Sequence, residues 1–196
     1  MSHRHHPIVI AAAEGTLPDW AVAGAERRAH MRRVSELLGT WAVDRGLDEA
    51  EQTRWRAVGY LHDVVREEEP NVLRGRVPEV WAGLPDGLLH GPAGADRLRV
   101  AGVADGELLH AIAWHTAGSE DFGTLGRALY AADFLEPGRP FRTEWRADLR
   151  ARAAEELDGV VVEIVRARIE HLLSRRGTVL PRTMAFWNAL AVERAR

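Results

Sequence analysis

The side chains able to do hydrolytic chemistry in this 196-residue chain sit in a few short stretches: His30, the doublet His62-Asp63, His90, His115 and Asp133. His30 recurs with Val34, Leu37, Leu38 and Trp41 at three- and four-residue steps. His62 shares a face with Trp55, Val58 and Val65, His115 follows Leu108 and Ile112, and Asp133 shares a side with Leu125, Leu129 and Ala132. Such spacing puts each polar group on the apolar stripe of a helix, turned toward the core. A buried carboxylate must pair, shift its pKa or bind a cation. One inward histidine is ordinarily a satisfied core residue. Several of them with two inward aspartates are what a cation requires.

The donor types narrow the ion. Imidazole and carboxylate without thiolate suit iron, manganese, zinc or cobalt, and the carboxylates admit magnesium. Asp63, beside His62, can give one oxygen to each of two ions. Two ions about 3.5–4 Å apart activate a water toward phosphorus, and phosphoryl oxygens polarised by them would carry the charge that develops in the transition state. No serine, cysteine or lysine nucleophile is needed.

The elements that must bring these groups together read as helices throughout. Residues 1–18 are expected to be a flexible lead-in, and residues 19–196 a single all-α domain. The first helix runs from about Asp19 to Val43 and closes at Arg45-Gly46. Asp48 with Glu51 forms a capping-box pattern that opens the second, which is read to about Arg66. Asn71 to Gly87, with Pro78 and Pro85, reads as a loop with a short helix, placed to cover a pocket. His90 stands at the mouth of the next helix, with Pro92 in its first turn. Asp105 can cap the helix that carries His115, Gly118 ends it, and Asp121 can cap the one that carries Asp133. Further helices are expected over about Thr143–Leu157, Val160–Arg175 and from Pro181 onward.

Composition excludes other chemistries. The chain has 46% hydrophobic and 28% charged residues and a formal net charge of −3, which offers no general basic field for nucleic acid or an acidic membrane. All 26 basic residues are arginine, so a Walker-type phosphate loop and a Schiff-base lysine are both excluded. There is no cysteine, hence no disulfide or thiolate site. No apolar run reaches membrane-spanning length, and the expected location is the cytoplasm. The opening Ser2-His3-Arg4-His5-His6 is given no role.

Leu61-His62-Asp63, Leu89-His90-Gly91, His115-Thr116-Ala117-Gly118 and Tyr130-Ala131-Ala132-Asp133-Phe134-Leu135-Glu136-Pro137-Gly138-Arg139 resemble the HD-domain superfamily of metal phosphohydrolases. Within it they are most similar to the YqeK-type symmetrical bis(nucleosyl)-tetraphosphatases. The similarity runs from about Arg27 to Leu190. It implies an HD-type helical bundle with two metal ions, iron first among the candidates. It implies that His30, His62, Asp63 and Asp133 bind one ion and that Asp63, His90 and His115 hold the second, with Asp63 bridging. It also implies hydrolysis of diadenosine tetraphosphate to two ADP. Asp63 and Arg66 are the expected catalytic residues; Arg66, Thr116, Gly118 and Arg139 are the expected substrate contacts, the arginines suiting bidentate contact to phosphate.

Where the family tends to carry Leu-Asp-Lys, this chain has Leu125-Gly126-Arg127. Its missing aspartate leaves two other functions open: hydrolysis of another nucleotide (a deoxynucleotide or a signalling nucleotide), or nucleotide sensing without turnover. His110 is excluded from the ligands because five residues turn it away from His115. Trp114 could line the pocket, and His171 is expected at the surface. Glu136 is assigned to the turn before Pro137. The sequence leaves the oligomeric state undetermined.

Overall fold

The computed structural model describes residues 5–193, and the helices it contains are built around one that is buried on every side. That helix, α7 (Thr124–Leu135), has Ala128, Leu129, Tyr130, Ala131 and Ala132 all at 0% exposure. A helix apolar around its whole circumference belongs in the middle of a bundle. The stripe read from the sequence is therefore only part of its buried surface. The long helices α2 (Ala25–Asp44), α3 (Glu49–Leu61) and α9 (Leu157–Ser174) pack on it, as do α6 (Gly106–Trp114) and α8 (Thr143–Arg152). α5 (His90–Val100) lies along α6, and α10 (Pro181–Glu193) lies along α9. No strand occurs among the described residues, so the all-α, single-domain expectation holds. Among the described residues, no helix is long and apolar enough to cross a membrane.

The lead-in is corrected in part. Pro7–Ala13 form a helix, α1, that packs on α3 with Val9 and Ala12 buried. Pro7 occupies its first turn and the His6 ring accepts from the Ile8 N–H, a local cap that a two-residue apolar stripe does not advertise. His3 and the last three residues of the chain lie outside the described residues.

The Asp48 and Asp105 caps form as expected, each accepting the backbone N–H three residues on, at 2.9 and 3.0 Å. Asp121 does not cap α7, which starts from the extended Gly123. Between α3 and α5 lie a short α4 (Pro70–Arg74) and two single 3-10 turns, Glu79–Trp81 and Asp86–Leu88.

Candidate metal centre

Two close helix approaches bring the histidines together in pairs. A methyl group at Gly59 would stand 2.8 Å from the Ser35 Cα, so α2 and α3 cross at a separation that excludes any larger residue there. This sets His30 on α2 against His62, with their Nε2 atoms 3.3 Å apart. Likewise a methyl at Gly91 would stand 2.5 Å from the Ala113 carbonyl oxygen, pressing the start of α5 onto the end of α6. His90 and His115 meet across that contact with Nε2 to Nε2 at 3.1 Å.

Neither His62 nor His115 lies within its helix. α3 ends at Leu61 and α6 at Trp114, so each histidine is the residue that closes the helix. At this position the ring reaches back to its own last turn. The His62 Nδ1–H donates to the Gly59 carbonyl and the His115 Nδ1–H to the Ile112 carbonyl, both at 2.8 Å. A carbonyl can only accept, so the tautomer is set and both Nε2 lone pairs point inward.

Asp63 stands between the two pairs. Its Oδ1 is 3.1 Å from His90 Nε2 and 3.5 Å from His115 Nε2. Its Oδ2 is 3.5 Å from His62 Nε2, 3.9 Å from His30 Nε2, and accepts from Arg27 Nη1 at 2.7 Å. Asp133 Oδ1 lies 3.2 Å from His30 Nε2 and 3.9 Å from His62 Nε2, and accepts from Arg139 Nη2 at 2.6 Å. Among the described residues, two sets of donor atoms fall within 4.8 Å of one another: His30, His62, Asp133, and His62, Asp63, His115. His62 belongs to both, and His90 joins the second through the short contacts just given.

The donor set fits cations. Asp63 Oδ1 is buried and makes no hydrogen bond, which is costly for a carboxylate oxygen unless a cation or water satisfies it. Convergent imidazole lone pairs at 3.1–3.3 Å repel without a proton or metal between them. Burial pushes the His62 pKa down to about 4 and lowers that of His90, keeping both neutral as ligands must be. His115 is raised, because Asp63 and Asp133 outweigh its burial. Burial alone would raise Asp63, yet His62, His115 and His90 hold it well below the usual carboxylate range. Asp133 is likewise held low against burial, by His30 and then Arg139.

An ionic network that the sequence reading did not assign supports the His30 side. Glu136 is 2% exposed, with Oε1 3.4 Å from His30 Nδ1 and Oε2 accepting from Arg33 Nε at 2.6 Å and the Gly138 N–H at 2.9 Å. It shapes the turn, as expected, and also orients a candidate ligand. Arg146, fully buried, donates to the carbonyls of Phe134, Glu136, Arg139 and Phe141, fixing the segment that carries these groups.

The centre opens into a cleft of about 1400 Å³. Arg66, Thr116 and Arg139 line it, joined by Arg33, Arg142 and Arg168, which the sequence reading did not single out. Arg168 Nη2 also donates to the Thr116 carbonyl. His171, exposed as expected, lies on the α9 wall of the cleft. Gly118 is a correction: it stands outside the cleft lining, buried in a turn at φ 81°, where a methyl would strike the Phe186 ring at 2.3 Å. Trp114 also stands apart, stacked edge-on with Trp81 and under the Arg182 guanidinium. His110 faces Ser119 and Phe122 instead of the centre. A side chain at Gly126 would meet Phe122 Cδ1 at 2.5 Å, so in this chain position 126 faces core packing and an aspartate would not fit without moving that ring.

The family model described as "HD domain" matches residues 27–138. Three curated relatives are each named "Bis(5'-nucleosyl)-tetraphosphatase, symmetrical". The one from Halalkalibacterium halodurans is 29% identical over 74% of this chain and 79% of its own length. The Bacillus subtilis protein is 30% identical over 65% of this chain and 63% of its own, and that of Staphylococcus aureus 27% identical over 81% and 84%. Among solved structures, a Clostridium acetobutylicum protein described as a predicted HD superfamily hydrolase involved in NAD metabolism superposes with a TM-score of 0.76. It is 25% identical, over 87% of this chain and 91% of that one.

Proposed function

This chain belongs to the HD-domain family and is a phosphohydrolase, and on that premise we propose that it cleaves diadenosine tetraphosphate symmetrically into two ADP. The observation that carries the reading is the orientation of Asp63, one oxygen toward His90 and His115 and the other toward His30 and His62. Three relatives that bear the tetraphosphatase name support the substrate.

We assign one ion to His30, His62, Asp63 and Asp133, and a second to Asp63, His90 and His115, with iron, manganese, cobalt, zinc and magnesium all compatible with these donors. Bound divalent ions would supply Lewis acidity, lowering the pKa of a water and offsetting phosphoryl charge. The protein's own part is positioning. The Gly59 and Ile112 carbonyls aim His62 and His115, Glu136 orients His30, and Arg27 and Arg139 steady the two aspartates. Arg66, Arg33, Arg142 and Arg168 surround the polyphosphate with fixed positive charge, and Thr116 lines the same wall. Water forms the new bond to a phosphorus beside the central bridging oxygen. The bond from that phosphorus to the bridge breaks, and each product keeps two phosphates.

Chromatography of the products from diadenosine tetraphosphate tests the reading. ADP as sole product is expected; AMP with ATP would contradict symmetrical cleavage, and tight binding without turnover would favour a sensor. A second reading, another nucleotide, draws on the structural neighbour described as involved in NAD metabolism. A panel of nucleotides at equal metal loading separates the two.

A further inference from the structure

The loop after α7 carries an aromatic ring whose exposure the core does not explain. Phe141 is 44% exposed and lines the cleft that opens from the metal centre, two residues beyond Arg139. Exposed phenylalanines are ordinary when scattered over a surface; one set in a cleft among arginines is not.

The ring is also held in place. The Arg146 guanidinium lies 4.6 Å from its centroid and Phe134 packs edge-on at 5.9 Å. Arg146 is itself 0% exposed and anchored to backbone carbonyls on both sides of the loop, including that of Phe141. Arg142, the next residue, has its backbone in the left-handed region at φ 47°, unfavourable for a side-chain-bearing residue. Its guanidinium lies over Trp145, 4.7 Å from the ring centre, and Arg142 also lines the cleft. A ring backed on one side by a buried cation and braced by a second ring is pre-organised to receive a flat partner on what remains open.

We propose that Phe141 is the stacking platform for a nucleobase of the substrate, with Arg139 and Arg142 beside it taking the phosphates attached to that nucleoside. This inference rests on the nucleotide reading given above. Stacking on an aromatic face tolerates any base, so the platform would add affinity without selecting adenine. It also divides the cleft by chemistry, with anionic groups bound by arginines near the metals and the base bound at the rim.

Binding separates this inference from the catalytic one. Affinities for ADP and for base-free tripolyphosphate would be measured by calorimetry on the intact protein, Phe141→Ala and Phe141→Tyr. The expected result is a loss of about tenfold or more for ADP in Phe141→Ala, tripolyphosphate unchanged, and ADP affinity kept by Phe141→Tyr. Equal ADP affinity in all three proteins would overturn the proposal. So would an equal loss for both ligands, which marks a structural role, and so would an intact protein that binds tripolyphosphate but not ADP. If diadenosine tetraphosphate is not hydrolysed yet Phe141→Ala still loses ADP selectively, the platform stands and only the substrate assignment falls.

Discussion

On the Oδ2 side of Asp63, His30 and Asp133 are held by other charged side chains, whereas on the Oδ1 side His90 and His115 are held by backbone and close packing. Glu136, Arg33 and Arg139 form the first support, with Arg27 on Asp63 Oδ2 itself. The Ile112 carbonyl and the Gly91–Ala113 contact form the second. The two kinds of support fail differently. An ionic network gives way to loss of a charge at almost unchanged volume; a packing contact gives way to one added methyl group at unchanged charge.

The largest effect should come from Asp63, the residue both sides share. Asp63→Ala is expected to remove both ions and lower turnover by about three orders of magnitude or more, read by metal analysis and steady-state kinetics. A variant that keeps two ions would break the comparison at its centre. Gly91→Ala should act on the Oδ1 side alone. The added methyl meets the Ala113 carbonyl oxygen at 2.5 Å, and separating α5 from α6 should cost about 1–3 kcal/mol in denaturant unfolding while moving His90 off His115. Unchanged stability would show that this contact is looser than it looks.

Glu136→Gln should act on the other side. It keeps the volume but removes the charge that faces Arg33 and His30, and metal affinity should fall about 10–100-fold with stability nearly intact. Equal metal affinity in this variant would mean that His30 is oriented by the bundle alone.

A further effect is in pH. In metal-free protein, burial holds the folded-state pKa of His62 near 4, below its ordinary 6.5. The unfolded chain therefore takes up that proton first, so stability is lost as pH falls from about 6.5 toward 4, by at most about 3 kcal/mol. His115, raised in the folded state, works in the opposite direction and loses its contribution as pH rises through its folded value. Unfolding titrations of the protein and of His62→Gln should differ in the acid window, and identical curves there would contradict the buried neutral His62.

The ligand candidates were legible because each polar group interrupts an apolar stripe, and burial of an apolar face is what helical periodicity reports. Their supports were not. Glu136 and Arg146 are charged residues of a kind that usually faces water, and only the tertiary turn after α7 buries them; Arg33, partly exposed on α2, gains its role from the Glu136 that this turn sets opposite it. α3 and α6 end sooner than the periodicity implies, since His62 and His115 continue the helical period while acting as closing residues. Gly59 carried no signal and Gly91 stood only as part of a motif, because a glycine inside a helix looks the same whether or not another backbone passes beside it. α1 escaped because its buried stripe, Val9 and Ala12, is too short to show a period.

In this centre one carboxylate, Asp63, would divide two ions. Crystals of the metal-loaded protein, with anomalous scattering recorded at the absorption edge of the bound metal, test it most directly. Two peaks flanking Asp63 are expected, one among His30, His62 and Asp133 and the other between His90 and His115. A single peak with both Asp63 oxygens turned to the same side would contradict that division.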